Sequence, residues 1–152
     1  FFGYSSKAHD GFLGNAVIGE WCNLGADTNN SNLKNTYAPV ALWNYKMESF
    51  KQTGLQFCGL IMGDHSKCGI NTMFNTGTVV GVSANIFDSG FQRNFIPSFS
   101  WGGAAGFSVY KLPKALDVAD NVFARRKLIF NTVEQNILSE VYTLTKRYRN
   151  EQ

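Results

Sequence analysis

The sequence predicts a mainly β chain, a parallel β-helix built from six-residue units and followed by a two-helix tail. Three observations carry that expectation. An apolar residue recurs every six positions, a small residue recurs four places after it, and near residue 111 the apolar period changes to that of an amphipathic helix.

Written in sixes from Phe12, the chain gives FLGNAV, IGEWCN and LGADTN; from Met62 it gives MGDHSK, CGINTM, FNTGTV and VGVSAN. The lead position holds Phe12, Ile18, Leu24, Met62, Cys68, Phe74 and Val80, all apolar. The fifth holds Ala16, Cys22, Thr28, Ser66, Thr72, Thr78 and Ala84, all small. A period of six suits neither a helix at 3.6 nor an alternating strand at 2, but it suits a short strand and a turn, repeated. Three units close one coil of about 18 residues. Lead residues then stack inward coil upon coil, small residues fill the corners, and the glycines after the lead residues (Gly19, Gly25, Gly63, Gly69, Gly81) are expected to supply the turn's backbone freedom.

Residues 30–61 break this phase. With Pro39, Trp43, Tyr45 and the alternation in TGLQFCGLI, they read as an excursion returning through a strand, and loops of this size are usually functional. After Ile86, FQRNFIPSFSWGGAAGFSVY reads as a cap on the coil end. These elements make residues 1–110 one β unit. In residues 111–152, Leu112, Leu116, Ala119 and Phe123 mark the inner face of a first helix opened by Pro113. Asn131 with Glu134 resembles a capping box, and Ile137, Val141, Leu144 and Tyr148 mark the face of a second helix. The basic residues beside these stripes, Arg125, Arg126, Lys127, Lys146, Arg147 and Arg149, read as solvated.

Composition narrows the function classes. The 152 residues are 44% hydrophobic and 16% charged, with a formal charge of +3. Residues 1–110 carry six basic and six acidic side chains, so the whole excess lies in the tail, and the basic stripe that nucleic-acid binding needs is absent. No apolar run is long enough to span a membrane, and no secretory signal opens the chain; it reads as cytoplasmic. Three cysteines without CxxC spacing and only two histidines offer neither a disulfide framework nor a metal centre, so none is expected. Phe1 falls inside a patterned region, and the chain reads as a segment of something longer.

The stretch SKAHDGFLGNAVIGEWCNLGADTNNSN, Ser6 to Asn32, resembles the acetyltransferase half of the bifunctional bacterial N-acetylglucosamine-1-phosphate uridyltransferase/glucosamine-1-phosphate acetyltransferase. The whole chain resembles the carboxy-terminal part of related sugar nucleotidyltransferases of Bacteroidetes-type bacteria. The resemblance implies a left-handed coil, although parallel crossovers are generally right-handed, and a homotrimer behind a nucleotidyltransferase domain. It implies acetyl-CoA as donor and an amino-sugar phosphate or sugar nucleotide as ligand. It also implies residue roles: His9 as general base, Asn23 and Asn32 beside the amino sugar, the Ala26 backbone at the thioester, and Lys111 at the coenzyme's phosphates. Phe12 stands where the family has a tyrosine at the sugar site, which removes a hydroxyl. The family's loop lysine has no counterpart around Lys34 and Ala38, and its phosphate-gripping lysine would fall before Phe1.

The chemistry agrees with that assignment. An amine attacking a thioester must lose a proton, and histidine is the usual acceptor. Asparagines position hydroxyls and amines without adding charge, and turn N–H groups can stabilise the oxyanion. On residue type alone His9 is an ordinary surface histidine, His65 a rival base, and Asn29, Asn30, Asn32 and Asn35 turn-formers. The competing expectation is a trimerising scaffold without catalysis, since no Gly-rich nucleotide loop or acidic metal pair occurs in these residues.

Overall fold

The computed structural model describes residues 1–149. Where the six-residue pattern holds, strands are two residues long and begin six residues apart: β1 (Val17–Ile18), β2 (Asn23–Leu24) and β3 (Asn29–Asn30). A hairpin of β4 (Ala41–Asn44) and β5 (Ser49–Gln52) intervenes. The spacing then resumes through β6 (Ile61–Met62), β7 (Lys67–Cys68), β8 (Met73–Phe74), β9 (Val79–Val80) and β10 (Asn85–Ile86). After these come β11 (Phe95–Ile96), β12 (Ser100–Gly103), β13 (Gly106–Val109), α1 (Leu112–Arg125) and α2 (Thr132–Leu144).

Successive strands enter three different sheets in rotation. β1, β6, β9 and β11 form one parallel sheet, β2, β7, β10 and β12 a second, and β3 with β8 a third. Ile61 pairs with Val79 and Lys67 with Asn85, each 18 residues on. This topology fits a parallel β-helix of three-sided coils. Its interior is Ile18, Leu24, Leu60, Met62, Cys68, Phe74, Val80, Ile86 and Ile96, all buried. Fifth-position hydroxyls stay satisfied inside it: Thr28, Thr72 and Thr78 donate to the carbonyls of Gly25, Gly69 and Asn75.

Four expectations need correction. Phe12 is 53% exposed, and Leu13 packs against the core in its place, because the preceding turn is bound to Asp27–Asn30 and turns the ring outward. The excursion's strands lie at 41–52, so TGLQFCG returns as irregular chain before β6. The stretch after Ile86 is not a mere cap, since β11 and β12 pair in parallel with β9 and β10 and build a further, shorter coil. In α2 the inner face is set by Leu138 with Val141 and Tyr142, while Ile137 and Leu144 point outward.

The glycines do a different job from the one expected. The left-handed backbone falls two positions later, on Trp21, Asp27, His65, Asn71, Gly77 and Ser83. Gly19, Gly25, Gly63 and Gly81 instead permit close stacking: a Cβ on Gly81 would stand 2.4 Å from the Ser98 nitrogen. Gly69 is the exception, with nothing nearer than 3.8 Å. Gly81→Ala is therefore expected to destabilise the fold by about 1–3 kcal/mol through overpacking. Gly69→Ala should stay within about 0.5 kcal/mol of wild type, and urea titration of the two variants measures the contrast.

Candidate functional site

The helices dock on one corner of the coil, and that corner is an aromatic column. Trp21, His65, Ser83 and Phe99 stack there one coil apart, all with positive φ. Trp21 stacks between Tyr4 at 4.1 Å and Phe123 of α1 at 4.0 Å. Phe99 meets Tyr142 of α2 edge-on. Arg149, expected in solvent, is buried: it donates to the Tyr142 carbonyl at 2.7 Å and lies over that residue's ring. Arg147 pairs with Glu48 of the hairpin at 2.8 Å, and Trp43 of the hairpin stacks on Phe95 at 4.2 Å, so the excursion packs on its own chain.

His65 belongs to this column. Its ring lies parallel to Trp21 and Phe123 at about 6 Å from each, and its Nδ1 has no hydrogen-bond partner among the described residues. Burial, reinforced by Lys67 and opposed by Asp64, pushes its pKa from 6.5 down to about 4. A buried, neutral imidazole packed beside the Trp21–Phe123 stack is a packing group and is not placed to accept a substrate's proton.

His9 is placed differently. It is exposed on the Lys7–Gly11 turn, beside an open depression of about 310 Å³. Lys7 Nζ pins the turn by donating to the carbonyls of His9 and Asp10. The turn is held onto the next coil, where the Asp27 N–H donates to the Asp10 carbonyl and Asn29 Oδ1 accepts from the Phe12 N–H. Gly11, at φ +106°, approaches the Thr28 carbonyl too closely for any side chain. Asn32 donates to Asn15 at 2.8 Å, and both Asn32 and the Phe12 ring crowd Gly14. Asn30, inside the coil, bonds both the N–H and the carbonyl of Gly14 and is structural.

Thus Phe12 and Asn32 meet at Gly14, whereas His9 lies on the turn before Phe12, over Asp27, and is not brought into contact with Asn32. Ala26 lies immediately before the segment that holds the His9 turn; its carbonyl accepts from Asn71, and its N–H has no partner among the described residues. Asn23 is elsewhere, on β2, in a cleft of about 350 Å³ between the coil and α1. Lys111 is exposed at the start of α1, with no side-chain partner among the described residues. The cleft is also lined by Lys67, Arg125 and Arg126. Sequence reading missed this grouping because Lys67 and the Arg125–Arg126 pair come from distant segments. No group of histidines, cysteines or carboxylates among the described residues is arranged to hold a metal, and no helix is long and apolar enough to cross a membrane.

Together these features define a coil of parallel strands with an exposed histidine turn at one edge. The chain is similar to proteins described as bifunctional protein GlmU: 36% identical over 73 residues to that of Methanocaldococcus jannaschii, 35% over 77 to that of Methanococcus aeolicus, and 32% over 91 to that of Methanococcus maripaludis. These matches cover 48%, 51% and 57% of the chain, but only 17%, 18% and 21% of the relatives. The chain thus spans about a fifth of the length of these relatives. No family model matches it.

The low pKa of His65 has a consequence for stability. Because the folded state binds this proton less readily than the unfolded chain, the contribution is complete above pH 6.5 and is lost as pH falls toward 4. The loss is on the order of 3 kcal/mol at the acid end. Unfolding free energies measured between pH 7 and 4.5 should decline less steeply in His65→Asn, a residue that tolerates the positive φ, than in wild type.

Proposed function

We propose that this chain is an acyltransferase-type unit of a cytoplasmic sugar-nucleotide enzyme, a left-handed β-helix of hexapeptide repeats that transfers acetyl from acetyl-CoA to an amino-sugar phosphate. The observation that carries this is the His9 turn, fixed to the coil at Asp27 and Asn29 just before Phe12, within a chain similar to the GlmU proteins. In this reading the amine attacks the thioester carbonyl, His9 takes the amine's proton, and the thiolate leaves to be protonated as free coenzyme. The Ala26 N–H, without a partner among the described residues, would stabilise the developing oxyanion, Asn32 would position the acceptor, and Lys111 would meet the coenzyme's phosphates, while Asn23, in the cleft against α1, takes no part at this edge.

The proposed assembly is a homotrimer serving a nucleotidyltransferase domain. The excursion leaves Tyr37, Met47, Leu55 and Phe57 exposed, and Ile70 is exposed on the coil, apolar side chains that a neighbouring subunit could cover. The scaffold reading keeps one observation in its favour: Phe12 offers the sugar no hydroxyl.

His9→Ala is expected to lower coenzyme A release with glucosamine 1-phosphate by about 10²- to 10⁴-fold while leaving acetyl-CoA affinity unchanged. Equal turnover in variant and wild type would replace catalysis with the scaffold. Light scattering at micromolar concentration should return a trimer mass; a monomer mass would defeat the proposed assembly.

A further inference from the structure

We propose that the cleft between the coil and α1 binds the phosphate of a small phosphomonoester through Lys67, Arg125 and Arg126. Lys67 rises from β7, beside Asn23 of β2 in the same sheet, while the two arginines come from the last turn and C-cap of α1. The aromatic column holds α1 against the coil, so Trp21–Phe123 stacking fixes the separation between the two walls.

Charge is the reason to read this cleft as an anion site. Its lining has three cations and no carboxylate, and none of the three makes a salt bridge among the described residues. Lys67 Nζ spends one donor on the His65 carbonyl at 2.9 Å, leaving the others for a ligand. Burial holds its pKa below the usual lysine range, so a phosphate beside it relieves a cost already present in the fold. The carbonyls at the end of α1 do not oppose an anion strongly, because the N–H groups of Arg126, Lys127 and Leu128 fold back onto those of Phe123 and Ala124.

Size and the neutral wall narrow the ligand. A volume of about 350 Å³ is at the small end of ligand pockets and admits a hexose phosphate but not a whole coenzyme A. Asn23 offers a hydroxyl-binding amide, and the half-exposed Tyr4 ring, stacked on Trp21, offers a face for a sugar. The inference rests on the acyltransferase reading only for the sugar, and it differs from the family resemblance in finding the phosphate-gripping cations within this chain.

Calorimetric titration of the 152-residue chain with glucose 1-phosphate, glucosamine 1-phosphate and unphosphorylated glucose, without acetyl-CoA, tests the site apart from acetyl transfer. Both phosphates are expected to bind saturably and to quench Trp21, with glucose silent. Lys67→Gln should weaken binding about 10-fold and Arg126→Gln about 3- to 10-fold, whereas Lys51→Gln on the hairpin should leave it unchanged. The surface substitution Arg126→Gln keeps the test open if Lys67→Gln fails to fold. Absence of saturable binding by either phosphate to wild type, or binding unchanged in Arg126→Gln and in the folded Lys67→Gln, overturns the proposal. Binding with no acetyl transfer under any condition leaves it standing and defeats only the acyltransferase reading.

Discussion

The structure depends on one repeated contact, the N–H of a left-handed turn residue donating to a carbonyl of the coil beside it. Trp21 donates to Gly3, His65 to Glu20, Ser83 to Asp64 and Phe99 to Val82, all at 2.8–3.1 Å. Asp27 and Asn71 repeat the contact at another corner through Asp10 and Ala26. Two-residue strands supply few ladder bonds of their own, so these corner bonds satisfy the polar groups that stacking would otherwise bury unpaired. They also set the spacing that forbids a side chain at Gly81. A residue with positive φ costs energy unless it is glycine, asparagine or aspartate. Tryptophan, histidine and phenylalanine occupy these positions at the helix-bearing corner, and their rings find compensation against α1 and α2.

That compensation links fold to site. The strained turns project their rings away from the coil, which gives the helices something to pack on, and the docked helix closes a wall over the outward faces of β2 and β7. Remove the rings and the helices lose their main hold on the coil, since Trp21 stacks on Phe123 of α1 and Phe99 meets Tyr142 of α2 within one buried cluster. The cationic cleft is thus a consequence of corner strain as much as of charge placement.

Legibility in the sequence followed the same division. The coil interior could be read because a side chain facing inward must be apolar, and Ile18 to Val80 obey that constraint at a strict interval. The turn geometry could not, because aromatic residues carry no local signal for positive φ; Gly19 and Gly81 drew attention to a neighbouring position whose need is space. In α2, adjacent apolar residues Ile137 and Leu138 support two faces shifted by one residue, and only packing against Phe99 and Phe130 selects Leu138. The stretch after Ile86 hid a further coil because Phe95 and Trp101 pair 16 residues after their partners, out of phase with the coils before them. His9 was legible only through the resemblance, as the segment that holds its turn, Asp27 to Asn30, is some twenty residues away.

The two candidate sites differ in what holds them. The His9 turn is secured by polar bonds at an open edge, with Lys7 and Asn29 acting as struts, and its surroundings leave one side free for another subunit or ligand. The cleft is secured by buried rings and lies within one chain. A polar, exposed edge suits a group that must exchange protons with a substrate, since the histidine keeps contact with water. A cleft backed by Trp21 and Phe123 suits holding charge in place, because the low-dielectric wall strengthens each of the three cations toward an anion. Proton transfer at the edge and anion binding in the cleft, as proposed, would therefore be separable demands placed on different faces of the same coil.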